Sequence, residues 1–349
     1  MEAFKSEGQR SLIEKVINKG ICVQCGACVG LCPYFNYFDG KVVVMDQCYA
    51  DVWRCLQICP KADYEGIHLE RKAEGVFNSE EVGPFIRVVI ARAVDKDIRN
   101  KAQYGGTVSS LIIFSLEKGI IKSAVLTDKG GQSSPGGRIS QNRTSILDCA
   151  QSIYSASGSL SALNRAISDG QDKIGVVGLP CQMDALARIK LAKPDGEERS
   201  KRIAIKIGLF CTWALEYRGL EAFLNHEYPD RKIKKFDISP PPSEKFCVQT
   251  ETGWIDIPLD SVKPFIQKGC TICRDMTAEK ADLSVGTVEG REGWNTVIVR
   301  TNAGDELINA AEAEGWLELD ELPEENFIHL KEAALNKQKR ALSNMAVSL

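Results

Sequence analysis

The sequence has only three histidines, His68, His226 and His329, and none stands beside a motif that would pair it with a nucleophile. A cysteine hydrolase needs such a base, so that chemistry is disfavoured. Neither sign of charge is in excess: 44 Lys and Arg face 47 Asp and Glu, a net charge of −3. A nucleic-acid-binding chain normally carries a basic surplus, so no nucleic-acid partner is expected. No apolar run approaches the roughly 18 residues that cross a bilayer, which excludes a helical membrane span and leaves room for peripheral association only. The first stretch, MEAFKSEGQRSLIEKVINKG, is charged and has no apolar centre, so an export signal is not expected. Repeats of solenoid period, low-complexity tracts, the G-x-G-x-x-G fingerprint and the P-loop are also absent.

Cysteine is what the sequence has in abundance: 13 among 349 residues. A chain of this length can bury a sizeable core without disulfides. The thiols are therefore read as metal ligands in a reducing, cytoplasmic compartment. Seven of them lie between Cys22 and Cys59, and the other six are Cys149, Cys181, Cys211, Cys247, Cys270 and Cys273. This split predicts a small N-terminal cysteine module over 1–75 and a larger domain over 84–349, joined by the polar stretch RKAEGVFNSEEVGP.

In the larger domain, PFIRVVIARAV, IIKSAVLTDK, KIGVVGLP and RIAIKIGLFC read as strands. GGTVSSLIIFSLEKG, SGSLSALNRAISDG and CQMDALARIKLAK read as helices. The alternation predicts an α/β domain whose sheet is largely parallel and covered by helices. KKFDISPPPSEKFCVQTETGWIDIPLD alternates with period two and predicts an antiparallel insertion, so the domain as a whole is α+β with a mixed sheet. The triple proline within that stretch reads as a rigid surface turn, and the last 40 residues read as helical and polar.

The run Cys22-Val-Gln-Cys25-Gly-Ala-Cys28-Val-Gly-Leu-Cys32-Pro33 has the C-x2-C-x2-C-x3-C-P spacing of a bacterial 4Fe–4S ferredoxin. Small residues such as Gly26 and Ala27 let a short loop wrap a cube, and Pro33 turns the chain away. A zinc site, which pairs cysteines rather than running four so closely, is the weaker reading. A second run, Cys48-Tyr-Ala-Asp51-Val-Trp-Arg-Cys55-Leu-Gln-Ile-Cys59-Pro60, ends in the same way but lacks the middle cysteine. In two-cluster ferredoxins the fourth cysteine of each run ligates the other cluster. That rule assigns Cys22, Cys25, Cys28 and Cys59 to one cube and leaves Cys32, Cys48 and Cys55 for another. Asp51 stands where a cysteine would. Either it is the fourth ligand, or the cluster is 3Fe–4S, or Asp51 is a solvated loop residue.

Cys181 and Cys211 close two predicted strands, and Cys270 and Cys273 form a C-x2-C pair. Loops at the carboxyl ends of parallel strands converge on one crevice, so these four could hold a third iron–sulfur cluster. Zinc, a redox dithiol or coincidence are the alternatives. Cys149 and Cys247 have no partner spacing and read as small buried hydrophobes. Gly105-Gly106-Thr107 opens a helix, with Ser109 and Ser110 adding hydroxyls. Such a turn suits a phosphate, although an ordinary helix cap reads the same way.

In order along the chain, the blocks AQYGGTVSSLIIFSLEKGIIKSAVL, SIYSASGSLSALNRA, VVGLPCQMDALARI, IGLFC, KGCTICRDMTAEKADLSVG and GWNTVIVRTNAGDELI resemble the coenzyme F420 hydrogenase/dehydrogenase beta-subunit family. The preceding double-cluster module is similar to that of F420H2 dehydrogenase input subunits. The resemblance implies FAD in the α/β domain, coenzyme F420 or a similar reductant as substrate, 4Fe–4S clusters and a partner redox subunit. Carried over by position, Gly105, Gly106, Thr107, Ser109 and Ser110 would hold the FAD diphosphate. Tyr154, Ser155, Gly158, Asn295 and Thr296 would lie along the flavin, with Pro180 and Gln182 near its ring. Cys181, Cys211, Cys270 and Cys273 would hold a cluster beside it. The expected function is hydride exchange between F420 and FAD, followed by single electrons passing through clusters to a partner enzyme. A ferredoxin-dependent reductase of an organic substrate and a flavin-less electron-transfer adaptor are the competing functions.

Overall fold

The structure is a computed structural model that describes residues 7–50, 53–62, 77–130, 134–229, 232–238 and 243–347. Asp51 and the triple proline lie outside the described residues. In the N-terminal module, the hairpin strands β1 (Phe35–Phe38) and β2 (Lys41–Val44) pair antiparallel, and a short helix, Arg54–Gln57, follows. A two-stranded ribbon, β3 (Phe77–Ser79) and β4 (Gly83–Phe85), leads into the main domain.

Eight strands then form one sheet. In chain order they are β5 (Arg87–Ala93), β6 (Ser123–Asp128), β7 (Gly136–Ser140), β8 (Ile174–Gly178), β9 (Ile203–Leu209), β13 (Leu283–Thr287), β14 (Asn295–Val299) and β15 (Leu317–Glu321). Three more strands, β10 (Ile233–Ile238), β11 (Lys245–Thr250) and β12 (Trp254–Pro258), make a separate antiparallel sheet between β9 and β13, where the period-two stretch placed an insertion. The large sheet runs β15-β5-β14-β13-β9-β8-β6-β7. Its centre, β13, β9, β8 and β6, is parallel, and antiparallel strands flank it on both sides. The sheet is therefore mixed, and less parallel than the strand–helix alternation suggested. Part of the difference is β15: its polar sequence, LELDE, reads as part of the helical C-terminus, yet it pairs with β5 at the edge.

Burial follows the sequence pattern. All five residues of β8 (IGVVG) and of β14 (NTVIV) are buried, as expected of strands covered on both faces. The helix Thr107–Glu117 buries the run Leu111, Ile112, Ile113 and Phe114, so its apolar surface meets protein nearly all round. Pro180 occupies the first turn of the helix Pro180–Leu191, where a missing N–H costs nothing, and the Gln182 side chain accepts from the Leu179 amide at 2.7 Å. This helix leaves the carboxyl end of β8 and carries Cys181 in its first turn. A further α-helix, Glu324–Val347, reaches the segment that follows β9, where Lys337 Nζ donates to the Cys211 carbonyl.

Candidate metal centres

None of the 13 cysteines is in a disulfide. Among the described residues, no three His, Cys, Asp or Glu side chains converge as ligands of one metal ion. A cube makes a different demand: each thiolate binds its own iron, so the sulfurs stand apart around a cavity.

Cys22, Cys25, Cys28 and Cys59 line one such cavity, walled by Gly26, Ala27, Pro60 and the apolar side chains Leu12, Val16, Ile17 and Val42. These are the four thiols that the ferredoxin rule groups. Burial pushes the Cys22 thiol up to about 12, and the charge of Cys59 adds to the effect. Cys25 and Cys28 are raised by burial first and by their neighbours in the same set second. Thiols buried in this way resist ionisation unless a positive charge stands beside them. A cationic centre inverts that preference, so the donor set suits a positively charged group of several irons. Cys32, Cys48 and Cys55 form a second group. Burial and the charges of Cys32 and Cys48 push Cys55 up to about 12, and the Ala50 amide donates to Cys48 Sγ at 3.4 Å.

The module is fastened to the main domain through the segment 156–164. Tyr37 Oη donates to the Ala156 carbonyl at 3.3 Å, the Leu160 amide to the Cys25 carbonyl at 3.2 Å, and Asn164 Nδ2 to the Ala27 and Val29 carbonyls at 2.7 and 2.8 Å. Gly26 has φ +81° and lies flat on Gly158, whose carbonyl oxygen would stand 2.4 Å from any Cβ at position 26. Gly158 in turn fits beneath the Tyr37 ring, 2.6 Å from where its own Cβ would be. The two chain segments meet backbone to backbone, which only glycine permits.

The third group sits at the carboxyl ends of the parallel strands, where the topology placed it. Burial raises the Cys181 thiol, followed by the charges of Cys25, Cys270, Cys273 and Cys211. Cys211 is pushed up to about 12 by burial, against which the Lys337 ammonium acts. Lys337, on the helix Glu324–Val347, is 2 % exposed, and its Nζ donates to the Cys211 carbonyl at 2.6 Å and to the Asp275 carbonyl at 2.8 Å. Burial pulls its pKa down, but the surrounding thiols and Asp275 outweigh this, and the net shift is upward. Lys337 thus places a positive charge near Cys211, Cys273 and Cys270. Sequence reading missed it, because a lysine in a polar helix carries no local signal.

The three groups adjoin through packed clusters: Cys181 of the third packs in the cluster that holds Cys25 of the first, and Cys28 of the first packs in the cluster that holds Cys55 of the second.

The glycine turn is tied to the GWNT block: Asn295 Oδ1 accepts from the Thr107 amide at 3.4 Å, and Asn295 Nδ2 donates to the Gly286 carbonyl at 3.2 Å. Thr107 Oγ1 donates to the Ala91 carbonyl, Ser110 Oγ to the Trp316 carbonyl and Thr296 Oγ1 to the Thr287 carbonyl. Gln182 Nε2 donates to the Ser157 carbonyl and to Ser159 Oγ. These side chains are engaged within the fold. Ser155 is held by a backbone bridge to Leu215. Tyr154 belongs to a network that sequence reading did not find. Gln103 Nε2, Tyr104 Oη and Tyr154 Oη all donate to Asp237 Oδ1, at 2.8, 3.0 and 3.5 Å. Burial first, and then the Asp237 charge, raise the Tyr104 phenol. Asp237 lies on β10, in the insertion, far in sequence from the turn it meets. Two buried polar atoms in this region have no partner among the described residues: Ser157 Oγ and Gln267 Nε2. Of the two unassigned thiols, Cys247 is buried in β11, and Cys149 is half-buried beside Arg138 rather than purely apolar in its surroundings.

Residues 88–164 match the family model for the N-terminal part of the coenzyme F420 hydrogenase/dehydrogenase beta subunit, and residues 171–325 match the model for its C-terminal part. The coenzyme F420 hydrogenase subunit beta of Methanosarcina barkeri is 33% identical over 248 residues, covering 70% of this chain and 84% of that one. The coenzyme F420-dependent sulfite reductase of Methanocaldococcus jannaschii is 30% identical over 354 residues, covering 96% of this chain but 53% of that protein. A chain of the F420-reducing [NiFe] hydrogenase complex from Methanosarcina barkeri superposes with a TM-score of 0.72 at 30% identity, over 77% of this chain and 94% of that one. The chain belongs to the coenzyme F420 hydrogenase/dehydrogenase beta-subunit family, and with it to the oxidoreductases.

Proposed function

We propose that this chain is an electron-transfer subunit of an F420-linked redox complex, and that its three cysteine groups hold iron–sulfur clusters. The observation that carries the reading is the adjacency of the groups: Cys181 and Cys25 share one packed cluster, and Cys28 and Cys55 share another, so the thiol groups succeed one another from the α/β domain into the N-terminal module. Flavins exchange a hydride for single electrons, and iron–sulfur clusters carry single electrons one at a time.

The residues divide that work. Cys22, Cys25, Cys28 and Cys59 would hold one 4Fe–4S cluster. Cys32, Cys48 and Cys55, with or without Asp51, would hold a second, and Cys181, Cys211, Cys270 and Cys273 a third. For FAD, the assignments from the resemblance separate into two roles. Thr107, Ser110, Asn295, Thr296 and Gln182 brace the site, since their side chains are engaged by the fold. Contact with the cofactor would fall to the backbone of Gly105 and Gly106, to Ser109, and to the unpartnered hydroxyl of Ser157. Tyr154, Ser155 and Gly158 set the backbone course of that wall, and Pro180 starts the helix that closes it. No residue needs to act as a general acid or base, and none is assigned.

The module's outer side would meet the partner redox subunit. Met45 and Tyr49 are 62% and 72% exposed and flank Cys48, so an apolar contact surface adjoins the second group. The test is anaerobic reduction of the purified chain by reduced F420, NADH, NADPH or reduced ferredoxin, together with co-purification at native abundance. We expect reduced F420 to bleach the visible absorbance far faster than the others, and the chain to travel with a second redox subunit. Reduction by ferredoxin alone, in a free chain that turns over an organic acceptor, would favour the ferredoxin-dependent reductase instead.

A further inference from the structure

The helix Glu324–Val347 has two faces. Its inner face carries Ala334, Lys337, Gln338 and Ala341, all buried. Its outer face exposes Ile328, Leu335 and Leu342 by 44%, 36% and 49%, at strict seven-residue spacing, with Met345 beyond. A solvated helix face has no need of large apolar side chains in one line. One apolar position repeated every seven residues makes a narrow line along the helix, which a second helix crossing at a small left-handed angle can follow.

Between these apolar positions, at the intervening steps of four and three, stand Glu332 and Lys339, both exposed. Neither has an ion-pair partner among the described residues. We propose that this face is a homotypic interface: two copies of the chain pair these helices antiparallel about a two-fold axis at Leu335. The charge order selects that partner and that direction. With Leu335 on the axis, Ile328 of one copy faces Leu342 of the other, and Glu332 comes within one residue rise, about 1.5 Å along the helix, of Lys339 on the same side of the seam. Symmetry makes each of these contacts twice. A parallel pair would instead set glutamate against glutamate and lysine against lysine. From Ile328 to Leu342 the seam is roughly 21 Å long, which is short, so the dimer should form in a concentration-dependent way.

Sedimentation velocity of the full chain over a wide concentration range tests this. Wild type should pass from monomer to dimer. Glu332→Lys alone and Lys339→Glu alone should each weaken the dimer about tenfold or more, since each sets like charges together twice. The two variant chains mixed in equal amounts should favour the mixed dimer and recover wild-type association, because both lysines of one chain then face carboxylates of the other. Both substitutions are on the solvent side of the helix, so circular dichroism should be unchanged. A chain that stays monomeric throughout, or single variants that dimerise like wild type, would overturn the proposal. So would a monomeric wild type whose Leu335→Asp variant loses a different protein partner.

Discussion

Replacing Gly26 by alanine should loosen the N-terminal module and empty its first cysteine group. The new methyl group would stand 2.4 Å from the Gly158 carbonyl oxygen, which is backbone and cannot swing aside. The residue must also hold φ at +81°, a region that costs an L side chain about 1–2 kcal/mol. Overpacking adds about 1–3 kcal/mol, so a total on the order of 3 kcal/mol falls on the contact between module and sheet domain. Gly26 lies between Cys25 and Cys28, so the displacement reaches the cavity directly. Iron determination and thermal unfolding check this. We expect loss of the iron assigned to the first group and a transition several degrees lower, with the distal iron retained. An alanine variant with full iron content and wild-type unfolding would show that the two segments are not locked together as described.

The second large effect is expected at Lys337. Methionine keeps the length and apolar stem of the side chain but removes the ammonium group. The carbonyls of Cys211 and Asp275, accepting at 2.6 and 2.8 Å, would lose their donor in a buried site. Each hydrogen bond to a charged donor contributes about 1.5–3 kcal/mol, so the variant should lose on the order of 3 kcal/mol. The removed positive charge also stands against the thiols of the third group. An electron arriving there would be less favoured, so the midpoint potential of the distal centre should become more negative. Lys337→Arg keeps the charge and should recover most of the potential but not all of the stability, because the planar guanidinium is larger. A redox titration followed by electron paramagnetic resonance separates the two effects. An unchanged potential in the methionine variant would reduce Lys337 to a packing role.

How far the sequence could be read depended on how local each signal is. The spacing from Cys22 to Cys32 is a local code, and the structure gathers Cys22, Cys25 and Cys28 with Cys59, as the ferredoxin rule requires. The strand–helix alternation likewise located β5, β6, β8 and β9, because continuous apolar runs mark strands that are covered on both faces. The convergence of Cys181, Cys211, Cys270 and Cys273 could be anticipated only through the topological rule that loops at the carboxyl ends of parallel strands meet. Three features lay beyond reach. β15 is polar and gains its place by pairing with β5 at the sheet edge, not by its own pattern. Asp237 meets Tyr104 and Tyr154 only because an inserted sheet folds back over the glycine turn. Lys337 is buried by tertiary packing alone. The hydroxyls of Thr107 and Ser110, which look like phosphate ligands beside two glycines, instead satisfy backbone carbonyls within the fold.

The central claim is that three separate cysteine groups each hold an iron–sulfur cluster, and the most direct measurement is iron and acid-labile sulfide content of the anaerobically prepared chain, group by group. Wild type should contain about twelve irons with three cubes, or about eleven if the second group holds a 3Fe–4S cluster. The double substitution Cys270→Ser and Cys273→Ser should lower the content by about four while the N-terminal resonance signals persist. Unchanged iron in that variant, or zinc in place of iron in the wild-type chain, would contradict the account.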